Sequence, residues 1–183
     1  MWQKWYSVSM KQLFFITGVN GVGKTTVIKY LKNLLGPAFE IHDFDERGVP
    51  NNAGRQWRFD ETEYWIALGK ENSEKNISTI ICGFAKPSEI NDPSVGLILL
   101  DADEATIKKR LWNRYQTPES IQIIERVVGK PVQKFIDDNV YYSSIMRQEA
   151  AKFGIKIIDT TTLSPEQVAE NITQYLKSDS NTL

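Results

Sequence analysis

The chain has 183 residues, of which 41% are hydrophobic and 25% charged, and its formal net charge at pH 7 is −1. This length and composition are typical of one soluble globular domain with a sizeable core. Because the net charge is near zero without a basic stripe, and Cys82 is the single cysteine, bulk nucleic-acid binding, an internal disulfide and a cysteine metal cluster are excluded.

The two ends of the chain fall outside the predicted domain. Residues 1–9 contain no apolar core of signal-peptide length and precede Met10, which stands just before the first apolar run, so we expect an N-terminal extension. The domain spans residues 10–177, and residues 178–183 are a flexible tail. No run of residues is long and apolar enough to cross a membrane. We therefore expect a cytoplasmic protein, monomeric or homodimeric, with neither membrane nor nucleic-acid partners.

The first predicted element is a buried strand that leads into a glycine-rich turn and a helix. Residues 13–16 are apolar, and apolar side chains recur at helical spacing from residue 26 onward. Between them lies G-x-x-x-x-G-K-T, the phosphate-binding P-loop motif. Its glycines let successive N–H groups face a polyphosphate, Lys24 reaches the β- and γ-phosphates, and the Thr25 hydroxyl can bind Mg²⁺. The predicted nucleotide-binding residues here are Gly18, Asn20, Gly21, Val22, Gly23, Lys24, Thr25 and Thr26.

A second short strand, residues 39–42, is followed by the acidic sequence Asp43-Phe44-Asp45. In a doubly wound sheet, ligands bind at the carboxyl ends of the strands, and strand alternation directs Asp43 and Asp45 to the same side. Two carboxylates beside a P-loop suit a magnesium ligand and a base that orients a hydroxyl. The alternative is a solvated acidic strand end. The sole histidine, His42, should point away from Asp43, which favours a structural position for it.

Residues 46–58 are rich in Gly, Pro and Asn, which predicts a loop. Three arginines in this loop form a plausible clamp for an anionic or flat acceptor: Arg47, Arg55 and Arg58. The alternative is a solvated loop in which Trp57 covers the edge of the core. Residues 59–71 then form a predicted amphipathic helix.

Two further apolar runs, residues 77–82 and 95–100, are typical of strands in a parallel sheet that is covered on both faces. Cys82 ends the first run and is most simply a small buried residue. Gly83 follows it, and the absence of a side chain would let a substrate approach the backbone closely.

The predicted helix after the fourth strand carries two arginines on one face. Asp103 is a favourable N-cap for this helix, and Arg110 and Arg114 are one turn apart. An exposed basic face is the alternative to a phosphate-binding role. Residues 115–131 form a predicted mobile lid, within which Thr117 caps a further helix.

The remaining sequence predicts a long helix, a strand and a last helix. Residues 132–153 form the long helix, which ends before Gly154, and residues 155–158 form the fifth strand. The turn after this strand begins at Asp159, at the edge where ligands bind. The last helix spans residues 164–176.

The order of these motifs resembles that of the P-loop small-molecule kinases of the shikimate kinase and gluconate kinase group. A P-loop after the first strand and a D-x-D after the second carry the resemblance, which covers residues 10–176. It implies an α/β, three-layer P-loop NTPase fold with five parallel strands in the order 2-3-1-4-5, helices on both faces and a short lid. It also implies ATP and Mg as cofactors and a small-molecule acceptor.

The same resemblance implies roles for individual residues. Asp43 helps to hold Mg²⁺, and Asp45 holds the acceptor hydroxyl. Nucleotide kinases carry two arginines like Arg110 and Arg114, one on adenine and one on phosphate oxygens. In similar kinases the turn at Asp159 flanks the adenine.

A looser resemblance connects the third strand to adenylate-kinase-like enzymes. Residues 83–87, Gly-Phe-Ala-Lys-Pro, are similar to their D-G-F-P-R segment, with Lys86 at the phosphate-binding arginine. Cys82 replaces the preceding aspartate, so a carboxylate is missing from this strand and Asp43 becomes more important. The lid contains one arginine, Arg126, whereas adenylate kinase lids are arginine-rich.

These observations predict a kinase that transfers the γ-phosphate of ATP to a hydroxyl of a small, anionic metabolite. The predicted catalytic residues are Lys24, Asp45, Arg110 and Arg114; the magnesium ligands are Thr25 and Asp43; the acceptor-binding residues are Asp45, Arg55, Arg58 and Gly83. A nucleoside or nucleoside monophosphate kinase is an alternative, although a carboxylate at the point of attack would repel a phosphate acceptor. An NTP-hydrolysing switch that acts on a protein partner is a second alternative, but the chain lacks the guanine-reading N-K-x-D motif.

Overall fold

The structure is a computed structural model that describes residues 12–51, 53–90 and 92–179. The predicted N-terminal extension, residues 1–9, and the last part of the predicted tail, residues 180–183, lie outside the described residues. Within the described ranges, no helix combines the length and the apolar character needed to cross a bilayer.

Strands and helices alternate in the first part of the chain. The third and fourth strands are joined through a short 3₁₀ turn, and three helices lie between the fourth and fifth strands. Their bounds are β1 (Leu13–Thr17), α1 (Lys24–Leu35), β2 (Phe39–Asp43), α2 (Arg55–Glu74), β3 (Ser78–Cys82), β4 (Val95–Asp101), α3 (Glu104–Arg114), α4 (Pro118–Val128), α5 (Val132–Phe153), β5 (Lys156–Asp159) and α6 (Pro165–Asp179). Short 3₁₀ turns lie at Gly36–Ala38 and Pro87–Glu89.

The strands form one parallel sheet in the order β2-β3-β1-β4-β5, which confirms the predicted fold class. Strand β1 occupies the centre, and every one of its residues is buried. The loop that follows β1 therefore lies in the middle of the carboxyl edge of the sheet, where ligands bind in open α/β folds.

Successive side chains of the central strand pack into two different cores, as the period of two of a β-strand requires. Phe14 belongs to the core formed with α1 and α6, to which Leu31 contributes. Phe15 belongs to the opposite core, where it joins Trp65 of α2 and Ile81 of β3. Helices therefore cover both faces of the sheet, and α5 lies against β4.

The start of α2 differs from the sequence prediction. The helix was expected over residues 59–71, but it begins at Arg55 and ends at Glu74. Gly54 adopts an extended conformation at the N-cap, so the chain enters the helix directly after the glycine. Arg55 and Arg58 thus lie on the first helical turn and not in a loop.

Other predicted helix ends are confirmed. The Asp103 side chain accepts a hydrogen bond from the N–H of Thr106 (2.6 Å) and caps α3, while Thr117 accepts from the N–H of Ser120 (3.2 Å) and caps α4. Helix α5 ends at Gly154, as expected. The last helix extends to Asp179, three residues beyond the predicted end, because residues 177–179 continue its hydrogen-bonded turns.

Candidate active site

The P-loop curls between β1 and α1 in a way that depends on its glycines. Gly18, Gly21 and Gly23 have φ angles of 147°, 89° and 102°, which other residues rarely adopt. At Gly18 a side chain would also collide with the carbonyl oxygen of Leu100 in β4. Helix α1 begins at Lys24, so its first free N–H groups face the same loop. This is an anion-binding arrangement.

The Lys24 side chain folds back over the loop that precedes it. Its Nζ donates to the carbonyl oxygens of Gly18 (2.7 Å) and Val19 (2.8 Å). Burial lowers the pKa of Lys24 to about 8, and among the neighbouring charges Asp45 opposes this lowering most strongly. The charge of Asp45 thus acts on the Lys24 amine.

The two carboxylates after β2 lie together, but a turn and not the pleat of a strand brings them there. Strand β2 ends at Asp43, and the N–H of Glu46 donates to the Asp43 carbonyl oxygen (3.0 Å). The N–H of Asp45 donates to Oδ1 of Asp43 (3.0 Å). Phe44 points away from both into the core, with 2% of its surface exposed, as the alternation predicted.

Asp45 is electrostatically linked to Lys24 and Asp43. Asp45 is exposed as a residue, but partial loss of water around its carboxyl raises its pKa. Asp43 raises this pKa further, whereas Lys24 lowers it, and Asp45 in turn raises the pKa of Lys24. A carboxylate with a raised pKa next to a P-loop lysine can accept a proton more readily than an ordinary one.

Arg110 of α3 is hydrogen-bonded to the P-loop and to the turn after β5. Its Nη1 donates to the carbonyl oxygen of Gly21 (3.2 Å) and to Oγ1 of Thr160 (3.0 Å), and its Nη2 donates to the carbonyl oxygen of Thr160 (2.7 Å). The Thr160 hydroxyl in turn donates to the carbonyl oxygen of Val22 (3.0 Å). Arg110 and Thr160 thus join α3, the P-loop and the turn after β5.

A cavity of about 250 Å³ opens beside these groups. One side is polar, with Arg110, Arg114 and Thr160, and the other is apolar. Its lining residues are Gly21, Val22, Gly23, Thr26, Val27, Arg110, Arg114, Thr160, Leu163, Pro165 and Val168. A flat, partly polar group attached to a P-loop-bound phosphate fits a cavity of this composition.

Sequence reasoning placed the nucleotide contact of the last turn on Asp159. The Asp159 carboxylate is exposed and accepts a hydrogen bond from the N–H of Thr161 (2.8 Å), so it shapes the turn. The neighbouring Thr160 is the residue that lines the cavity and contacts the P-loop. No pattern within a three-residue turn indicates which side chain faces inward.

The three arginines of the predicted clamp have different surroundings. Arg47 lies 3.3 Å from the buried carboxylate of Glu61 and over the Tyr64 ring at 3.5 Å. Arg55 is 72% exposed at its side chain, with Nε 3.8 Å from Glu89. Arg58 is half-buried, and its Nε makes no hydrogen bond within the described part of the chain.

The group that lies close to the Gly83 backbone is a side chain of the protein, Phe44. A Cβ at this position would collide with the Cβ of Phe44, the core residue between the two aspartates. Gly83 thus lets the D-x-D turn pack against the end of β3, and a contact between Gly83 and substrate remains a prediction. Beside it, burial raises the pKa of the Cys82 thiol to about 12, so this thiol is neutral.

A further residue that sequence reasoning missed lies on α5. The backbone N–H of Asn20 donates to Oδ1 of Asn139 (2.8 Å), and the Asn20 side-chain amide donates to the same oxygen (3.2 Å).

The predicted lid contains α4. It packs against the core through Ile121, Ile124 and Val128 but contains no buried residue. Its movement remains a prediction.

The residues predicted to hold Mg²⁺ both have side-chain oxygens, the donor that Mg²⁺ prefers. Thr25 is exposed at the start of α1, and Asp43 is half-buried. Among the described residues, no three His, Cys, Asp or Glu side chains converge on a protein-only metal site.

No family model matches the chain. A protein of Pyrococcus abyssi described as "Putative adenylate kinase" is 27% identical over 175 residues, which cover 91% of this chain and 84% of that protein. A similar protein of Pyrococcus furiosus is 27% identical over 168 residues, 89% of this chain and 83% of that protein.

Solved kinase structures share the fold at low identity. A shikimate kinase from Acinetobacter baumannii in complex with shikimate has a TM-score of 0.55 at 19% identity and covers 95% of this chain and 97% of that one. A gluconokinase from Sinorhizobium meliloti has a TM-score of 0.55 at 13% identity, with coverages of 92% and 93%. The YorR protein of Bacillus subtilis, in complex with phosphorylated GDP, has a TM-score of 0.57 at 18% identity, with coverages of 93% and 99%.

The molecule thus has the P-loop kinase fold, and it resembles the shikimate and gluconate kinase group, as its motifs predicted. Its sequence relatives are described as putative adenylate kinases, and its structural neighbours include shikimate kinases and a gluconokinase.

Proposed function

We propose that this protein is an ATP- and Mg²⁺-dependent kinase that transfers the γ-phosphate to a hydroxyl of a small, anionic metabolite. The observation that carries the proposal is the position of the P-loop lysine, Lys24, and of the Asp43–Asp45 turn at the same carboxyl edge of the parallel sheet. The effects of Lys24 and Asp45 on each other's pKa agree with this position. A P-loop lysine binds the phosphate that is transferred, and a carboxylate opposite it is suited to orient an attacking hydroxyl. This combination is expected for transfer to an alcohol.

The donor nucleotide would lie along the P-loop, with its triphosphate on the loop N–H groups and the start of α1. The cavity lined by Arg110 and Thr160 would receive the base. Arg114, which lowers the pKa of Lys24 and is therefore near it, would neutralise phosphate charge beside that lysine. The arginines thus have different tasks, since Arg110 is already bonded to the loop and Arg114 is not.

Thr25 and Asp43 would hold the magnesium ion. When bound, Mg²⁺ neutralises the charge of the β- and γ-phosphate oxygens. Oδ1 of Asp43 accepts the N–H of Asp45, so this bond also orients the metal-side carboxylate relative to the acceptor-side one.

On the acceptor side, Asp45 would take the proton of the attacking hydroxyl. Its raised pKa favours proton acceptance as the oxygen forms its bond to phosphorus. Arg58 would bind the negative charge of the acceptor, because its half-buried guanidinium has an unpaired Nε whereas Arg47 and Arg55 already face Glu61 and Glu89.

A nucleoside or nucleoside monophosphate kinase is the second candidate, and the description of the Pyrococcus relatives favours it. A nucleoside monophosphate would present a dianionic phosphate to Asp45, and two like charges at the point of attack repel. A nucleoside, which offers a hydroxyl, would avoid this repulsion.

The test is a panel of acceptors incubated with the full chain, ATP and Mg²⁺. The panel contains sugar acids, cyclic hydroxy acids, nucleosides and nucleoside monophosphates, and ADP release is measured with and without each acceptor. Stimulation by a hydroxy acid supports the proposal, whereas stimulation by monophosphates alone supports the second candidate. A slow hydrolysis that no small molecule changes would indicate a switch that acts on a protein partner.

A further inference from the structure

The P-loop is bonded to the helix that follows the predicted lid through one buried amide. Asn139 of α5 is 6% exposed, and its Oδ1 accepts both the backbone N–H of Asn20 (2.8 Å) and the Asn20 side-chain amide (3.2 Å). Its Nδ2 donates to the carbonyl oxygen of Phe135 one turn earlier (2.8 Å). Both acceptor positions of the oxygen are thus used, and one of the two donor positions of the nitrogen.

These bonds determine the direction of one amide group in the middle of the P-loop. Lys24 bonds to the carbonyl oxygens of Gly18 and Val19, whereas the N–H of Asn20 bonds to Asn139. Asn139 thus fixes the direction of the Asn20 N–H, and preorganisation of this kind lowers the entropy cost of binding.

The same helix is closely connected to the lid. Glu125 of α4 accepts the N–H of Val132, the first residue of α5 (2.8 Å), and Lys130 lies 2.8 Å from Asp138, the neighbour of Asn139. Asn139 is two helical turns from the start of α5, about 10 Å along the axis. A short, bonded path therefore runs from the P-loop to the base of the lid.

We propose that Asn139 is a positioning residue for the donor nucleotide: it holds the P-loop at Asn20 in the shape that receives the triphosphate. This inference rests on the proposed function, since it concerns the same nucleotide site. Asn139 acts through Asn20 and makes no contact of its own with the reacting atoms.

The main test compares Asn139→Ala with Ser143→Ala in direct binding of Mg²⁺ and an unhydrolysable ATP analogue by calorimetry. Ser143 is a matched control because it lies one turn further on the same helix and is 2% exposed. Within the described ranges its hydroxyl bonds to two residues of α5, Val140 and Arg147. Loss of the two bonds to Asn20 is expected to weaken analogue binding about tenfold or more. Ser143→Ala should stay within about twofold of the wild type.

Thermal unfolding of the same two variants tests whether Asn139 has only a structural role. Both substitutions remove a buried polar group and should lower the unfolding midpoint to a similar degree, whereas only Asn139→Ala should change the dissociation constant. Equal analogue binding by the folded Asn139→Ala and Ser143→Ala variants would overturn the inference. If the wild type itself does not bind the analogue, the proposed function fails first.

Amide exchange of the wild type tests the same contact without a substitution. The N–H of Asn20 should exchange slowly in the nucleotide-free protein, because its acceptor is buried in α5. Exchange at Asn20 as fast as that of the exposed residues Thr25 and Thr26 would show that the bond is not kept, and would overturn the inference even if Asn139→Ala did not fold.

Discussion

On the proposed donor side the P-loop is bonded to α3, α5 and the turn after β5, whereas on the proposed acceptor side the charged groups stand on a turn and on the first turn of α2. Arg110, Thr160 and Asn139 each bond to a P-loop residue. Asp45 and Arg55 are exposed, and the Nε of Arg58 has no partner among the described residues. The proposed donor half is thus cross-linked by hydrogen bonds, whereas the proposed acceptor half carries charged groups that are exposed or lack a hydrogen-bond partner among the described residues.

This difference has a physical reason. A triphosphate is the same in every nucleoside triphosphate, so rigid N–H groups can be arranged for it once. Recognition of a particular acceptor depends on a few side chains at the mouth of the cleft. Loss of a donor-side group should therefore impair every reaction, and loss of an acceptor-side group should impair one substrate selectively.

The largest expected effect is on the donor side. Lys24→Ala should lower turnover by about 10²–10³, the usual loss when one preorganised charge-stabilising group is removed. Its unfolding midpoint should not fall, because in the described part of the chain the hydrogen bonds of Nζ are to loop carbonyls, and burial disfavours the charged amine. Steady-state turnover and thermal unfolding are measured beside Lys29→Ala, an exposed lysine of α1. Near-normal turnover in folded Lys24→Ala would show that the P-loop is not the catalytic centre.

A smaller, selective effect is expected on the acceptor side. Arg58→Ala should raise KM for an anionic acceptor about tenfold, because a charge-assisted hydrogen bond is lost, and should leave KM for ATP unchanged. Arg55→Ala is the matched control, since its side chain is 72% exposed, and should shift neither value by more than about twofold. If both arginine variants behave alike, Arg58 has no special role.

Titration of Lys24 should affect activity and stability in opposite directions as the pH rises. The pKa of Lys24 is about 8 in the folded protein, below its ordinary value of 10.5, because burial disfavours the charged form. Since kcat/KM for ATP reports the free enzyme, it should fall up to about tenfold per pH unit above about pH 8.

The stability of the protein should increase with pH over the range in which activity falls. Between pH of about 8 and 10.5 the unfolded chain holds the Lys24 proton more tightly than the folded one, so this residue contributes a rise in the free energy of unfolding across that window. Urea unfolding of the wild type and of Lys24→Ala at several pH values isolates the contribution. A wild-type rise that persists unchanged in Lys24→Ala would assign it to another group.

The smallest effect concerns the lid. Residues 115–131 should close over bound nucleotide and exclude water from the γ-phosphate. Their amide exchange should slow a few-fold when the ATP analogue and Mg²⁺ are added. Slowing that is confined to residues 18–26 would show that this segment does not close over the donor.

The donor half was also the half that the sequence predicted best. The P-loop motif is local, so the spacing from Gly18 to Thr25 shows it directly, and continuous apolar runs indicate buried parallel strands. Thr160 and Asn139 were not predicted as site residues because their partners lie 138 and 119 positions away in the chain. A single asparagine in an amphipathic helix has no periodic signature that separates it from a solvated residue.

The residues of the proposed acceptor half were predicted from the sequence less accurately. Arg55 and Arg58 were assigned to a loop because Gly, Pro and Asn precede them, although the last of these, Gly54, caps a helix. The prediction for Asp43 and Asp45 reached the correct proximity through strand alternation, while a turn produces it. The contact of Gly83 with substrate remains a prediction, whereas its close approach to Phe44 is a long-range contact that no local pattern predicts.

The central claim, that Asp45 serves the acceptor while Asp43 serves the metal, is tested most directly by titration of Mg²⁺ and ATP against Asp43→Asn and Asp45→Asn. Asp43→Asn should raise the Mg²⁺ requirement, because a neutral amide is a poorer ligand for a hard cation. Asp45→Asn should leave that requirement and ATP binding nearly unchanged, yet lower acceptor-dependent turnover on the order of 10²-fold. Superimposable curves for the two variants would contradict the account.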